Sequence, residues 1–282
     1  MPTTRGFKAL AFEFALQVDD AALVDYFEWL FAAFPEAASD APSFLVERVD
    51  DDEVTKVQLR DGEDTFAMAS TGPSFVGSLM QWINQRATRS EVVVSSHAGG
   101  VAHGGVACVL PAHMESGKTT LTTGLVREGF AYVTDEAVAF SPGGEIEAYP
   151  KPLSIDPGSQ FLFPELRPPL PPSLPSPDPT SAAHQWQVPV SMVGDGAVAA
   201  RCRARVLVFP KYEAERSTEL QALTRGEALV ELAKNTFQFR DRARYALDVL
   251  AGVVRDADCY RLTVGDLDSA CAVVAELMAK HG

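Results

Sequence analysis

The sequence has no cluster of five or more Lys or Arg, and its 24 basic side chains stand against 38 acidic ones, a formal net charge of −14. A partner with a phosphate backbone is gripped by a basic patch, so nucleic acid is not an expected partner. No uninterrupted apolar run reaches the roughly 18 residues that a membrane-spanning helix needs, so no membrane partner is expected either. The first residues, MPTTRGFKALAFEF, lack an uncharged apolar core and a small-residue cleavage site, and do not read as a signal peptide. Cysteine is scarce. Cys108, Cys202, Cys259 and Cys271 include no pair at metal-ligand spacing, and three lie in apolar runs. They read as reduced, mostly buried thiols, which implies a cytoplasmic protein. No internal repeat is present.

What is present is ordinary for a folded chain of 282 residues: 46% hydrophobic and 22% charged, enough for one large domain or two of usual size. The acidic runs Asp19-Asp20 and Asp50-Asp51-Asp52-Glu53 read as solvated turn charge. Residues 7–18 alternate partly and read as a strand. Asp19 and Asp20 offer an N-cap for a helix that stops at Pro35. Three strands follow, SFLVERV, EVTKVQL and DTFAMAS, the last two joined through Asp61-Gly62, and a helix over 74–87 closes the unit. This is a small α+β domain over residues 1–90 with no chemical motif. Its aromatics Phe27, Trp29, Phe31, Phe34 and Trp82 are expected in the core.

The second domain, residues 91–282, begins with strands EVVVSSHA and GVACVLP, separated by a glycine-rich turn from Gly99-Gly100 to Gly104-Gly105. A helix from GKTTLTTGLVREG follows, closed by Gly129, and then a strand FAYVTDEAVAFS. The segment 164–179 holds eight prolines and no periodicity, and reads as a surface excursion. Beyond it come the strand VAARCRARVLVFP, a helix opened by a Thr224/Glu227 capping box, a further helix, the strand CYRLTV and a last amphipathic helix. Strands alternating with helices give an α/β core.

The chemistry gathers at CVLP-AHMESGK-TTLTTGL, a strand, a loop and a helix in the order a phosphate loop requires. Main-chain N–H groups of Ala112, His113, Met114, Glu115, Ser116, Gly117, Lys118, Thr119 and Thr120 would face phosphate oxygens, with the helix dipole adding to their field. Lys118 would bridge the terminal phosphates of ATP and Thr119 would place its hydroxyl on Mg²⁺. Asp135 and Glu136 follow Lys118 by seventeen and eighteen residues, at the end of the next strand segment. Neighbours on a strand point to opposite faces, so at most one of the two faces the phosphates unless the strand has ended. Asp135 is favoured, as a metal ligand or as the acceptor of a hydroxyl proton. His97, His103 and His113, read alone, are structural or solvent-facing histidines.

From His97 to Glu136 the chain resembles the catalytic domain of HPr kinase/phosphorylase, and more closely the HPr-kinase-related proteins of unassigned substrate. His97 precedes Lys118 by twenty-one residues, and the acidic pair follows it, as in that family. SGKTTLTTGLVREGFAYVTDEAVAF, YPKPLSI and VLVFPKY carry the likeness further. The resemblance implies a phosphate-loop core of the HPr kinase/phosphoenolpyruvate-carboxykinase type behind the small α+β domain. By position it makes Lys118 the holder of the β and γ phosphates, Thr119 a Mg²⁺ ligand beside Asp135 and Glu136, Asp135 the base toward a serine hydroxyl, and His97 the group that contacts and tunes that base. It would bring Lys151 near the γ-phosphate, against the commoner reading of a surface lysine on a strand. It implies a peptide, protein or small-molecule hydroxyl as acceptor, and the family's hexamers imply a homo-oligomer. Three residues depart from the pattern: Ala112 for the first loop glycine, Thr120 for a glutamate, and Glu136 for an aspartate. Two other readings stand beside the kinase. One is a nucleotide-binding regulatory or adaptor module with impaired catalysis. The other is a carboxykinase-type transferase, for which Arg201, Arg203 and Arg205 would have to supply anion binding.

Overall fold

The computed structural model describes residues 1–51, 54–176 and 183–281. Asp52 and Glu53 of the acidic run, and Pro177 and Pro179 of the proline-rich segment, lie outside the described residues. By packing, the chain divides into two units: Met1–Arg89 with Lys151–Pro189, and Ser90–Pro150 with Val190–Gly282. The first cut falls between Arg89 and Ser90. The difference is that Lys151–Pro189 packs with the first unit, although the sequence reading runs the second domain unbroken over 91–282. Proline spacing marks an excursion, but it carries no information on which core the excursion joins.

In chain order the first unit supplies β1 (Phe7–Ala9), β2 (Phe12–Val18), α1 (Ala21–Leu30), β3 (Ser43–Asp51), β4 (Val54–Asp61), β5 (Asp64–Ala69) and α2 (Gly72–Ala87). The second supplies β6 (Val94–His103), β7 (Val106–Pro111), α3 (Lys118–Arg127), β8 (Ala131–Thr134), β9 (Ala137–Phe140) and β10 (Glu145–Glu147). The chain returns to the first for β11 (Leu153–Ile155) and β12 (Trp186–Val188). It ends in the second with β13 (Cys202–Tyr212), β14 (Glu219–Ala222), α4 (Arg225–Lys234), α5 (Ala243–Arg255), β15 (Asp258–Val264) and α6 (Leu267–Ala279).

In the first unit five strands lie in the order β1-β2-β3-β4-β5. The stretch 7–18 is not one strand but a hairpin, with Phe7 opposite Phe14. Its turn uses Leu10 at φ 55° and contains no Gly, Asn or Asp, so nothing local announces it. Asp20 caps α1 by accepting the Ala22 N–H. Phe7, Phe14, Phe27, Phe31, Phe34 and Trp82 are buried, while Trp29 is only partly so. Residues 157–174 are pinned rather than loose: two short 3-10 turns, Pro157–Leu162 and Pro164–Leu166, frame the buried Phe163 and Leu166, and Leu174 is buried beyond them.

The second unit is built on a sheet in the order β10-β9-β6-β7-β13-β15-β14, with β8 also paired to β6, and a β10–β13 pairing links back across the path. β7, β13 and β15 run parallel. Thr224 and Glu227 form the expected capping box on α4. Two expected strands differ. β6 runs straight through Gly99-Gly100, and only Gly104 and Gly105, at φ 57° and 83°, make the turn into β7. A Cβ on Gly99 would lie 2.4 Å from Thr122 Oγ1 of α3, and one on Gly100 would lie 3.3 Å from Val133 and Val138. These two glycines serve close packing, not turning. The stretch FAYVTDEAVAFS breaks at Asp135-Glu136 into β8 and β9, both antiparallel to β6. Among the described residues no helix is long and apolar enough to cross a membrane.

Candidate active site

β7 ends at Pro111 with a fully buried face, and the chain then turns through 112–117 into α3. The loop is tied at both ends. The Ala112 N–H donates to the His97 carbonyl at 3.3 Å, and the Ser116 carbonyl accepts the Tyr212 N–H at 3.2 Å. Glu115 and Gly117 both adopt left-handed backbone, φ 62° and 86°. Gly117 is the N-cap of α3 and gives no side-chain cap, so the first N–H groups of the helix have no acceptor within it. His113, Met114 and Glu115 turn their side chains to solvent; their share in an anion site is the main chain. Ala112 is buried, Thr120 half-buried. Lys118 is only 6% exposed and folds back to donate to the His113 carbonyl at 3.3 Å.

The acidic pair meets this loop. Asp135 is 2% exposed. Its Oδ2 accepts from the Thr119 hydroxyl at 3.3 Å and its Oδ1 from the Tyr132 hydroxyl at 2.8 Å. The geometry is possible because β8 has ended: the Glu136 and Ala137 N–H groups both donate to Thr134 Oγ1, bending the chain just past the strand. Alternation therefore no longer forces the two acids apart. Glu136 is half-buried, and its Oε1 stands 3.7 Å from His97 Nε2. His97 lies within β6 rather than at its end, opposite Ala137. His103 is exposed at the hairpin tip beside the Phe130 ring.

Tyr132 and Tyr149 are functional candidates that the sequence reading passed over. Both are fully buried. Burial, then the charge of Asp135, pushes the Tyr132 phenol well above its ordinary range. Burial, then the charges of Glu136 and Asp135, does the same to Tyr149. Both hydroxyls therefore stay protonated, and Tyr132 is a fixed donor to the carboxylate. The available signal was a tyrosine inside an apolar strand, whose buried hydroxyl must find a partner.

The residues fit a phosphate and a cation on two counts. Ser116 Oγ is buried without a hydrogen-bond partner among the described residues, so the loop holds a polar atom awaiting one. The Thr119 and Asp135 oxygens, 3.3 Å apart, are close to the roughly 3.0 Å between adjacent ligands of an octahedral Mg²⁺ with bonds of about 2.1 Å. Among the described residues no three His, Cys, Asp or Glu side chains gather as a metal set. A cation here would take its other ligands from phosphate oxygens and water, as Mg²⁺ commonly does. Lys151, in the first unit, is fully buried, and its ammonium donates to the Pro152 carbonyl at 2.7 Å and to Ser154 Oγ at 2.9 Å. Arg203 bonds the Gly143 carbonyl and Glu145, and Arg201 pairs with Glu145, all at the surface.

No family model matches the sequence, and no curated protein matches it. Among solved structures, the Hpr(Ser) kinase/phosphatase from Coxiella burnetii is similar at a TM-score of 0.32 and 8% identity, over 66% of this chain and 95% of that one. A likeness this slight carries no argument, and the reading of the site rests on its own residues.

Proposed function

We propose that the second unit is a Mg²⁺-dependent kinase that moves the γ-phosphoryl group of ATP to a hydroxyl, of a peptide or protein serine or of a small molecule. The observation that carries this reading is the contact between the Thr119 hydroxyl and the buried Asp135 carboxylate at the mouth of α3. It joins the metal-binding end of a phosphate loop to an acid. Main-chain N–H groups at the start of α3 and the Lys118 ammonium hold the β and γ phosphates. Thr119 and Asp135 would hold Mg²⁺, which would supply charge neutralisation on the phosphates. Asp135, its Oδ1 fixed by Tyr132, keeps an oxygen turned toward the loop and accepts the proton of the incoming hydroxyl. The oxygen of the acceptor hydroxyl forms the new bond to phosphorus as the bond from phosphorus to the bridging oxygen breaks, leaving ADP. His97 and Glu136 form a second, more exposed pair beside this carboxylate. Positioning and charge stabilisation supply most of the acceleration. Cytoplasmic ATP and a self-associated chain belong to the same proposal.

The test is calorimetric binding of ATP with and without Mg²⁺, followed by ³¹P NMR of ATP consumption against peptide and metabolite pools. Asp135→Asn is expected to keep ATP affinity within about tenfold, a difference of 1.4 kcal/mol, and to abolish transfer. Full activity in that variant removes Asp135 from the proton step. Tight Mg²⁺-ATP binding with no consumption against any pool favours the adaptor reading, to which Ala112 and Thr120 already point.

A further inference from the structure

We propose that a cavity of about 430 Å³ within the first unit is a binding site for small carboxylates with an apolar body. Its size falls in the range of small-molecule sites. It is lined wholly by residues of that unit, so the proposal is independent of the kinase reading.

The lining includes Arg167 and His184 but no Asp or Glu, in a chain whose acids outnumber its bases 38 to 24. The side chains of Arg167, His184, Trp186 and Tyr26 make no hydrogen bond or ion pair among the described residues. All four carry N–H or O–H donors. The amide oxygens of the two glutamines on the same wall are already engaged. Gln187 Oε1 accepts from Ser154, the Gln187 amide donates to Gln185 Oε1, and the Gln185 amide donates to Asp156. What remains without a protein partner is a set of side-chain donors on one wall, the Arg167 guanidinium among them. The complement of such a set is an anionic group that only accepts.

The rest of the wall says what the anion is attached to. Val76 and Pro73 of α2 and Leu170 present apolar surface. Pro168 and Pro169 follow Arg167 directly and fix the main chain that carries it. A single guanidinium beside apolar side chains suits a carboxylate, which it can hold with two parallel bonds. A phosphate would call for more charge than one Arg and one His. Burial, then the charge of Arg167, holds the His184 imidazole below its ordinary 6.5. An anion seated beside Arg167 and His184 acts in the opposite sense and raises it.

The experiment is an NMR titration of the full chain with phenylacetate, following the imidazole of His184, assigned by loss of its signal in His184→Gln. 2-Phenylethanol is the neutral control. Phenylacetate is expected to bind saturably with Kd at or below about 1 mM and to raise the His184 midpoint. 2-Phenylethanol is expected not to bind at that concentration, and Arg167→Gln to weaken phenylacetate at least tenfold. Arg167 is exposed, so that variant is expected to fold, and Arg167→Lys, which keeps charge without the two-pronged geometry, is expected to fall between. Gly-Gly-Phe with a free or an amidated C-terminus distinguishes a chain end from a free acid: tighter binding of the free tripeptide than of phenylacetate assigns the carboxylate to a peptide. Equal shifts of His184 by the acid and the alcohol, or phenylacetate affinity unchanged by Arg167→Gln, overturn the proposal.

Discussion

Lys118 and Lys151 are both buried, and both stand where a phosphate ligand is expected, yet they sit in regions of opposite construction. Lys118 is the first residue of α3, behind a left-handed glycine, and its contact with the His113 carbonyl is long, 3.3 Å. Lys151 donates to the Pro152 carbonyl at 2.7 Å and to Ser154, which itself donates to Gln187 of β12. One ammonium lies at the start of a helix, over the turn proposed to bind phosphate. The other is the centre of a polar network that joins β11 to β12. A buried lysine is thus not in itself a sign of ligand binding. The conformation of the chain around it separates the two cases.

The largest expected effect divides them directly. Lys118→Ala is expected to weaken Mg²⁺-ATP at least about a hundredfold, which is 2.7 kcal/mol, with little change in thermal stability. Lys151→Met removes the donor to the Pro152 carbonyl and one donor to Ser154. Loss of that buried network is expected to cost about 2–3 kcal/mol of stability, while ATP affinity stays within about threefold, under 1 kcal/mol. Calorimetry and thermal melts on both variants read this. If Lys151→Met loses ATP as completely as Lys118→Ala, the contrast is wrong and Lys151 belongs with the site.

Next in size is the packing that holds α3 and its loop against the sheet. Gly99→Ala sets a methyl 2.4 Å from Thr122 Oγ1, an overlap expected to cost about 3 kcal/mol. Thr122 Oγ1 is buried without a partner among the described residues, so Thr122→Ala alone is expected to be near neutral. Combined with Gly99→Ala, it is expected to recover most of the loss. Urea melts of the two single variants and the double close the cycle. A double variant no better than Gly99→Ala alone would mean that the strand, and not the helix contact, requires glycine.

The same two regions mark how far the sequence could be read. The strand, loop and helix over 106–127 were legible because their signals are local: a glycine before the helix, a lysine and threonine at its start, an apolar strand ahead of them. The meeting of Thr119 with Asp135 was reachable because β8 follows α3 at once. The role of Tyr132 was not legible, since a tyrosine in an apolar strand looks like core until the carboxylate beside its hydroxyl is located. The role of Gly99-Gly100 was misread because a glycine pair signals a turn as readily as a close approach, and only the position of α3 decides. In the first unit the aromatic core followed from helical spacing. The turn at Leu10, and the joining of residues 151–189 to that unit, depend on contacts distant in sequence. The cavity beside Trp186 is assembled from α1, α2 and the proline-rich return, and no motif marks it.

The smallest expected effect belongs to a feature made by local chemistry alone, the capping box of α4, and it calibrates the rest. Glu227 accepts from the Thr224 hydroxyl and from the Thr224 N–H. The hydroxyl bond first, then the backbone bond, holds its carboxyl below the ordinary 4.5. A carboxyl lowered in the folded state adds stability above its unfolded value, and that stability is lost as the pH falls through the folded value. Glu227→Gln keeps an acceptor at the same place and removes only the charge. Hydrogen exchange of the first amides of α4 is therefore expected to be slightly faster in the variant at pH 7, and the difference is expected to vanish once the pH lies below the folded value. A gap that widens as acid is added would mean that Glu227 acts through some other group than its cap.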